Sequence, residues 1–191
     1  MSVMFRGKPA CTCLAAWLPA YERELVARGV LAKGRSLSIY QLIGTAAASS
    51  KTHSTGGAFD LVDLPGDVDV WVARQMGADA TWSRTPAQGF TPAHVHGVLR
   101  GCPHAHPEAR AQISSPAIGV DAGKNGIARP TPDDGPRPLS GRSWEDGLRW
   151  QGDKARIRRR AALTARIAPL VDARRKLTAR IDRLRAKRGA A

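Results

Sequence analysis

Long apolar runs are missing from this 191-residue chain. No stretch approaches the roughly 18 uninterrupted apolar residues that a membrane helix needs, which excludes a protein built on a spanning helix. Residues 1–20 hold no continuous apolar segment beyond Arg6, because Cys11, Thr12, Cys13 and Pro19 break it, so no secretory signal is expected. Cysteine is scarce as well. Three cysteines cannot all pair within one chain, which argues against a disulfide scaffold. Aromatic residues make up 5%, so a core must be built from Ala, Val, Leu and Ile, and 42% apolar residues suffice for one domain of ordinary size. Acidic residues are the remaining shortage: 16 Asp and Glu face 30 Lys and Arg, a net charge of +14. That excess is unevenly spread. Residues 151–191 hold 14 of the Lys and Arg and 3 of the Asp and Glu, so +11 of the charge lies in one-fifth of the chain. Body and tail are therefore separate problems.

In the body, Leu14, Trp17, Leu18, Tyr21 and Leu25 recur at helical intervals up to Gly29, with Pro19 expected to limit how far back that helix reaches. Residues around Leu37, Ile39 and Gln41 read as a strand, 45–51 as a small polar loop and 57–61 as a second strand. Asp67 suits a helix cap, Val68, Trp71, Val72 and Met76 share one face, and Gly77 ends it. Strands at 80–83 and 94–99 follow, separated by a loop over 85–93. Residues 113–142, with Pro130, Pro132, Pro136 and Pro138, show no core pattern and read as wrapping or linker. The order helix, strand, strand, helix, strand, strand predicts an α+β domain with a small, mainly antiparallel sheet and flanking helices over 1–140. A basic helical extension over 141–191 follows it.

Histidine concentrates the chemistry. The five fall at 53, 94, 96, 104 and 106. On a strand, residues i and i+2 share a face, so His94 and His96 present two imidazoles side by side. His53 and Asp60 flank a glycine-rich bend through Gly56 and Gly57. Two histidines and one aspartate form a three-ligand set that leaves a fourth zinc position open to water, whose pKa zinc brings down to about 7.

The pattern His53-x-x-Gly56-x-Ala58-x-Asp60, followed by His94-x-His96, resembles the D-alanyl-D-alanine carboxypeptidase-like zinc metallopeptidases, the superfamily that includes lysostaphin-type endopeptidases and the hedgehog signalling domain. The run Gln41…Ser49-Ser50-Lys51-Thr52-His53 through Asp60-Leu61 is similar to a subgroup common in actinobacterial phages. So are Trp82-x-Arg84-Thr85-Pro86, His94-x-His96-x-Val98-Leu99-x-Gly101 and Gly123-x-Asn125-Gly126-Ile127-Ala128…Asp133-Asp134-Gly135. The likeness covers about residues 35–138.

The resemblance implies that His53, Asp60 and His96 hold one Zn2+ per chain. It places His94 beside the metal-bound water, where an imidazole takes a proton or stabilises an oxyanion. Gln41 lies where relatives carry a polar or basic residue that contacts substrate. The implied activity is peptidoglycan peptide hydrolysis by a phage-encoded protein located in the host cytoplasm or the virion and acting at the cell wall. Two departures matter. The carboxypeptidase branch carries Glu three residues before its last ligand, where this chain has Ala93, which moves the reading to the His-x-His branch of endopeptidases. Relatives also often carry Ser where Lys51 stands. Two other readings compete: a catalytically inactive virion or wall-binding protein with this fold, and a polyanion-binding protein acting through its tail.

Cys11-Thr12-Cys13 and Cys102-Pro103-His104-Ala105-His106 suggest a second, structural zinc site, but their spacing matches no common knuckle. A Pro-rich loop after a strand accounts for the latter cluster. Gly119 to Asn125 resembles a phosphate-binding loop only superficially, with one residue too few between the glycines and no Ser or Thr after Lys124.

In the tail, Leu163, Ile167, Leu170, Arg174, Leu177, Ile181 and Leu184 alternate spacings of four and three, a heptad seam with Leu at d and Ile, Arg, Ile at a. Ser143 and Asp146 are expected to cap a helix near Trp144, and Pro169 to kink it or start a new one. Residues 163–184 therefore suit a homodimer or virion assembly, and the arginine-rich surfaces suit nucleic acid or an anionic wall polymer. A solvated amphipathic helix folded back on the body is the simpler alternative.

Overall fold

The computed structural model describes residues 2–44, 51–66, 68–114 and 140–189, with side chains of the last helix described through Leu177. The expected loop over 45–50 with Ser49 and Ser50, the Asp67 cap, segment 115–139 and the side chains of Ile181 and Leu184 lie outside the described residues. Residues Met1–Gln151 form one compact unit and Gly152–Ala191 a second. The architecture is α+β, with two small antiparallel sheets and four helices among the described residues.

The chain opens with a hairpin, β1 (Ser2–Phe5) and β2 (Lys8–Cys11). Its turn residues Arg6 and Gly7 both take positive φ, 50° and 79°, the mirror-image turn that follows strand twist. Arginine is an unusual residue there, and Pro9 sits in the second strand, so the sequence pattern does not announce the hairpin. Arg6 pays for its conformation partly by pairing with Glu22 at 2.6 Å on the next helix.

That helix, α1 (Thr12–Ala27), buries Leu14, Trp17, Leu18, Tyr21 and Leu25, the residues whose spacing predicts it. Gly29, at φ 72°, turns the chain away. Pro19 does not limit the helix, contrary to the sequence expectation; it lies inside it. The carbonyl left without a helical donor is that of Ala15, a half-buried residue. Trp17 stacks on Tyr21 and Phe59 at 4.7 and 5.2 Å, and its indole N–H donates to the Met76 carbonyl at 2.8 Å. Removing such a fully buried ring costs about 3–5 kcal/mol.

The main sheet contains β3 (Ser38–Gln41), β4 (Ala58–Val62), β5 (Ala80–Arg84) and β6 (His94–Val98), in the order β3-β4-β6-β5 and antiparallel throughout. Its registers set the two faces. Phe59 lies opposite Gly97, where any Cβ would strike the Phe59 ring, and this face packs against α1. Asp60 lies opposite His96, and His96 opposite Trp82, on the other face.

Helix α2 (Val68–Gln75) packs beside β5, and the 3-10 turn Pro86–Gln88 follows that strand. Helix α3 (Pro107–Ser114), unassigned from sequence except for its end in the expected linker over 113–142, packs on β6. Helix α4 (Trp144–Gly189) begins in the first unit. The expected cap is present: Ser143 N–H and Oγ donate to Asp146 at 3.0 and 2.9 Å, and Asp146 N–H donates back at 3.2 Å. Trp144, Leu148 and Trp150 pack on the core.

Pro169 does not start a new helix; α4 continues through it. The surrounding turns are exposed, so the carbonyl deprived of its donor remains in water. No helix among the described residues is long and apolar enough to cross a membrane.

Candidate metal centre

Three of the five residues singled out from the sequence converge. His53 Nε2 lies 3.4 Å from His96 Nδ1 and 3.3 Å from Asp60 Oδ2, and His96 Nδ1 lies 2.8 Å from Asp60 Oδ1. All three residues are buried. Strand pairing supplies Asp60 and His96 as direct neighbours on β4 and β6, and the bend before β4 returns His53 to them. That bend needs glycine. Gly56 and Gly57 have φ 132° and 76°, and added Cβ atoms would sit 2.7 Å from Cys11 Cβ and 2.9 Å from Ala105 Cβ.

The far side of each imidazole is held by a hydrogen bond. His53 Nδ1–H donates to the Leu42 carbonyl at 2.8 Å, and His96 Nε2–H donates to Gln112 Oε1 at 2.9 Å. The inward nitrogens face each other and the Asp60 carboxylate in a buried space, where a shared proton or a bound cation satisfies them. A hydrogen bond on the far side is the usual outer support of metal-bound histidine, where it orients the ring and raises its basicity. Bonds of about 2.0–2.1 Å at tetrahedral angles separate donor atoms by roughly 3.3 Å. The two spacings from His53 match this, and the 2.8 Å between His96 Nδ1 and Asp60 Oδ1 is a hydrogen-bond distance. The cluster is thus positioned to bind a metal ion.

Electrostatics supports the same arrangement. Burial pushes the Asp60 carboxyl upward, but hydrogen bonds and charge from His53 and His96 outweigh it and hold the group well below the carboxylate range. Burial pulls His53 down, and Asp60 more than reverses this, leaving it raised. Burial dominates at His96, which stays lowered despite Asp60, with His53 and Arg84 adding to the effect. Trp82 stacks on His96 at 6.0 Å and 13°, closing that side against solvent.

His94 stands at the rim. Its Nδ1–H donates to the Pro92 carbonyl at 2.8 Å, which leaves Nε2 facing inward, 3.9 Å from Asp60 Oδ1. Tyr40 and Phe90 flank the ring at 6.0 and 5.8 Å. Arg84 lies opposite His94 across the strand pair, with its guanidinium over the Trp82 and Phe90 rings at 4.9 and 5.2 Å. Gln41 lies opposite Asp60 on β3, just past a register shift, with its side-chain amide beside Gly44. It is near the donors without being one of them.

Sequence reasoning missed Gln112, because it assigned no element to residues 107–112. Pro107 followed by Glu108 is the available signal, a proline at the first helical position with acid behind it. Among the described residues His106 joins no donor cluster; its Nδ1 accepts the Glu108 N–H at 3.3 Å and caps α3. Comparison with known proteins adds no identity: no family model, curated protein or solved structure matches the chain.

Proposed function

We propose that this chain is a zinc-dependent peptidase that hydrolyses amide bonds in peptidoglycan peptides and is encoded by a phage. The observation that supports it is one juxtaposition: three buried donors whose outer nitrogens are held by hydrogen bonds, with His94 Nε2 at their rim, 3.9 Å from Asp60 Oδ1. His53 Nε2, Asp60 and His96 Nδ1 would hold the metal. Zinc bound by three protein ligands supplies hydroxide at neutral pH and polarises a carbonyl.

The remaining work belongs to the chain. Asp60 brings the one negative charge among these three residues and tempers the charge of the site. Gln112 and the Leu42 carbonyl hold the two ligand imidazoles in orientation. His94 Nε2 takes a proton from the attacking water and returns it to the leaving amine, with the Pro92 carbonyl keeping the ring aligned. Tyr40, which is exposed, and Phe90 offer an aromatic wall against which a stem peptide lies. Ala93 in place of glutamate leaves His94 as the proton carrier, consistent with an endopeptidase rather than a dipeptidase.

The test is incubation of zinc-loaded protein with purified peptidoglycan, with mass spectrometry of the released peptides. Peptides with newly formed amine and carboxyl ends are expected, and chelation abolishes them. Fully loaded protein that sediments with the wall and releases nothing would replace this reading with that of an inactive wall-binding protein.

The tail has a separate role: pairing with a second copy of the chain. Leu163, Ile167, Leu170 and Leu177 are exposed, and a repeat of 3.5 residues keeps one stripe facing a partner helix. The arginine-rich composition of this segment suits an anionic polymer.

A further inference from the structure

Three thiols and one imidazole meet on the other side of the Gly56-Gly57 turn. Cys11 ends β2, Cys13 lies in the first turn of α1, and Cys102 and His104 lie in the turn between β6 and α3. Cys11 and Cys13 are thereby set against residues about 90 positions away, at a sequence separation of 91 for two of the contacts. Cys11 Sγ is 3.8 Å from Cys102 Sγ, Cys13 Sγ is 3.6 Å from His104 Nδ1, and Cys102 Sγ is 3.9 Å from His104 Nδ1. One donor atom from each residue lies within 4.8 Å of all the others. The three cysteines are free and buried.

The distances have the scale of one tetrahedron. Zinc–sulfur bonds of about 2.3 Å and zinc–nitrogen bonds of about 2.0 Å give edges of roughly 3.7 Å between sulfurs and 3.5 Å between sulfur and nitrogen. A disulfide between Cys11 and Cys102 would leave Cys13 and His104 without a reason to converge. The environment suits a thiolate at Cys11, which precedes the first turn of α1 and whose Sγ accepts the Gly57 N–H at 3.3 Å.

We infer that Cys11, Cys13, Cys102 and His104 form a second metal site, a closed Cys3His centre that holds a structural zinc ion. Four protein donors fill the tetrahedron and leave no position for substrate, and thiolates select a soft or borderline metal. The spacing C-x-C and C-x-H matches no common knuckle because the sheet, not a short loop, brings the halves together.

The centre ties the β2–α1 junction to the turn that follows His96. It also braces the bend between His53 and Asp60: Thr55 Oγ1 donates to the His104 carbonyl at 2.6 Å, and Leu99 N–H donates to the Gly57 carbonyl at 2.8 Å. One cluster thus supports the backbone of the other.

The test starts from the wild-type protein. X-ray absorption at the zinc edge is expected to show sulfur scatterers at about 2.3 Å. Cobalt substitution should give thiolate-to-metal charge-transfer bands, and native thiols should resist modification until a chelator is added. Cys102→Ser should lose those bands, whereas His96→Ala should keep them, which separates this site from the peptidase reading. If Cys102→Ser fails to fold, the wild-type measurements still decide. Zinc bound by nitrogen and oxygen alone, or an intact mass showing a Cys11–Cys102 disulfide, would overturn the inference.

Discussion

The two donor clusters share a glycine turn and differ in what decides a metal's work. His53, Asp60 and His96 offer nitrogen and oxygen, three donors in all, with a fourth side bounded by His94. Cys11, Cys13, Cys102 and His104 offer sulfur and nitrogen and complete a set of four. The difference teaches that, on the proposed reading, the first cluster's capacity to react would lie in what it omits. A missing donor leaves room for water and substrate, and a full set leaves room for neither.

The sharpest way to break the comparison is at His94. His94→Ala should keep the metal and lose hydrolysis by roughly 10²–10⁴-fold, the usual contribution of an acid–base group. Metal analysis beside peptide release reads both. Loss of metal together with activity would make His94 a ligand and give the first cluster four donors, erasing the contrast with the second.

A smaller effect is expected one step further out. Gln112→Leu removes the acceptor of His96 Nε2–H and should weaken metal binding at that cluster by about 10–100-fold. Competition titration with a chelator measures it, and the charge-transfer bands of the cobalt-substituted thiolate cluster should not move. Equal weakening of both sites would show that they are not independently supported.

The pH dependence follows from His53. Its folded pKa is raised, so in the metal-free protein its proton contributes stability that is present below the unfolded value of about 6.5 and is lost as pH rises through the folded value. Metal requires the neutral ring, so its stabilisation runs the opposite way. The increase in Tm on adding zinc should therefore grow from about pH 5 to about pH 8. In His53→Ala, a zinc-induced shift with the same slope would remove His53 from the account.

The mildest test concerns the tail. Self-association should strengthen with salt, which screens the arginines, and Leu177→Asp should abolish it in sedimentation. Wild type that stays monomeric at low and high salt, alike with the mutant, would leave the helix to anionic polymers or to the protein itself.

Much of the body was legible because its signals are local. Helical spacing located α1 and α2, and His94-x-His96 placed two rings on one face. Gly56 and Gly57 marked a bend whose geometry side chains would obstruct. Signals that were weak or overridden failed. Arg6 hides the β1–β2 turn, and Pro19 lies inside α1 although its ring is expected to limit that helix. The thiol cluster was raised and set aside for a different reason. Its two halves are short and unremarkable alone, and only the fold that seats α1's start against the β6–α3 turn brings them together.

Metal content tests the central claim most directly. Wild-type protein loaded with zinc and freed of excess should carry about two ions per chain, and His96→Ala about one, with the remaining ion bound by sulfur. Equal zinc in His96→Ala and wild type would contradict the assignment of His53, Asp60 and His96 as a metal centre.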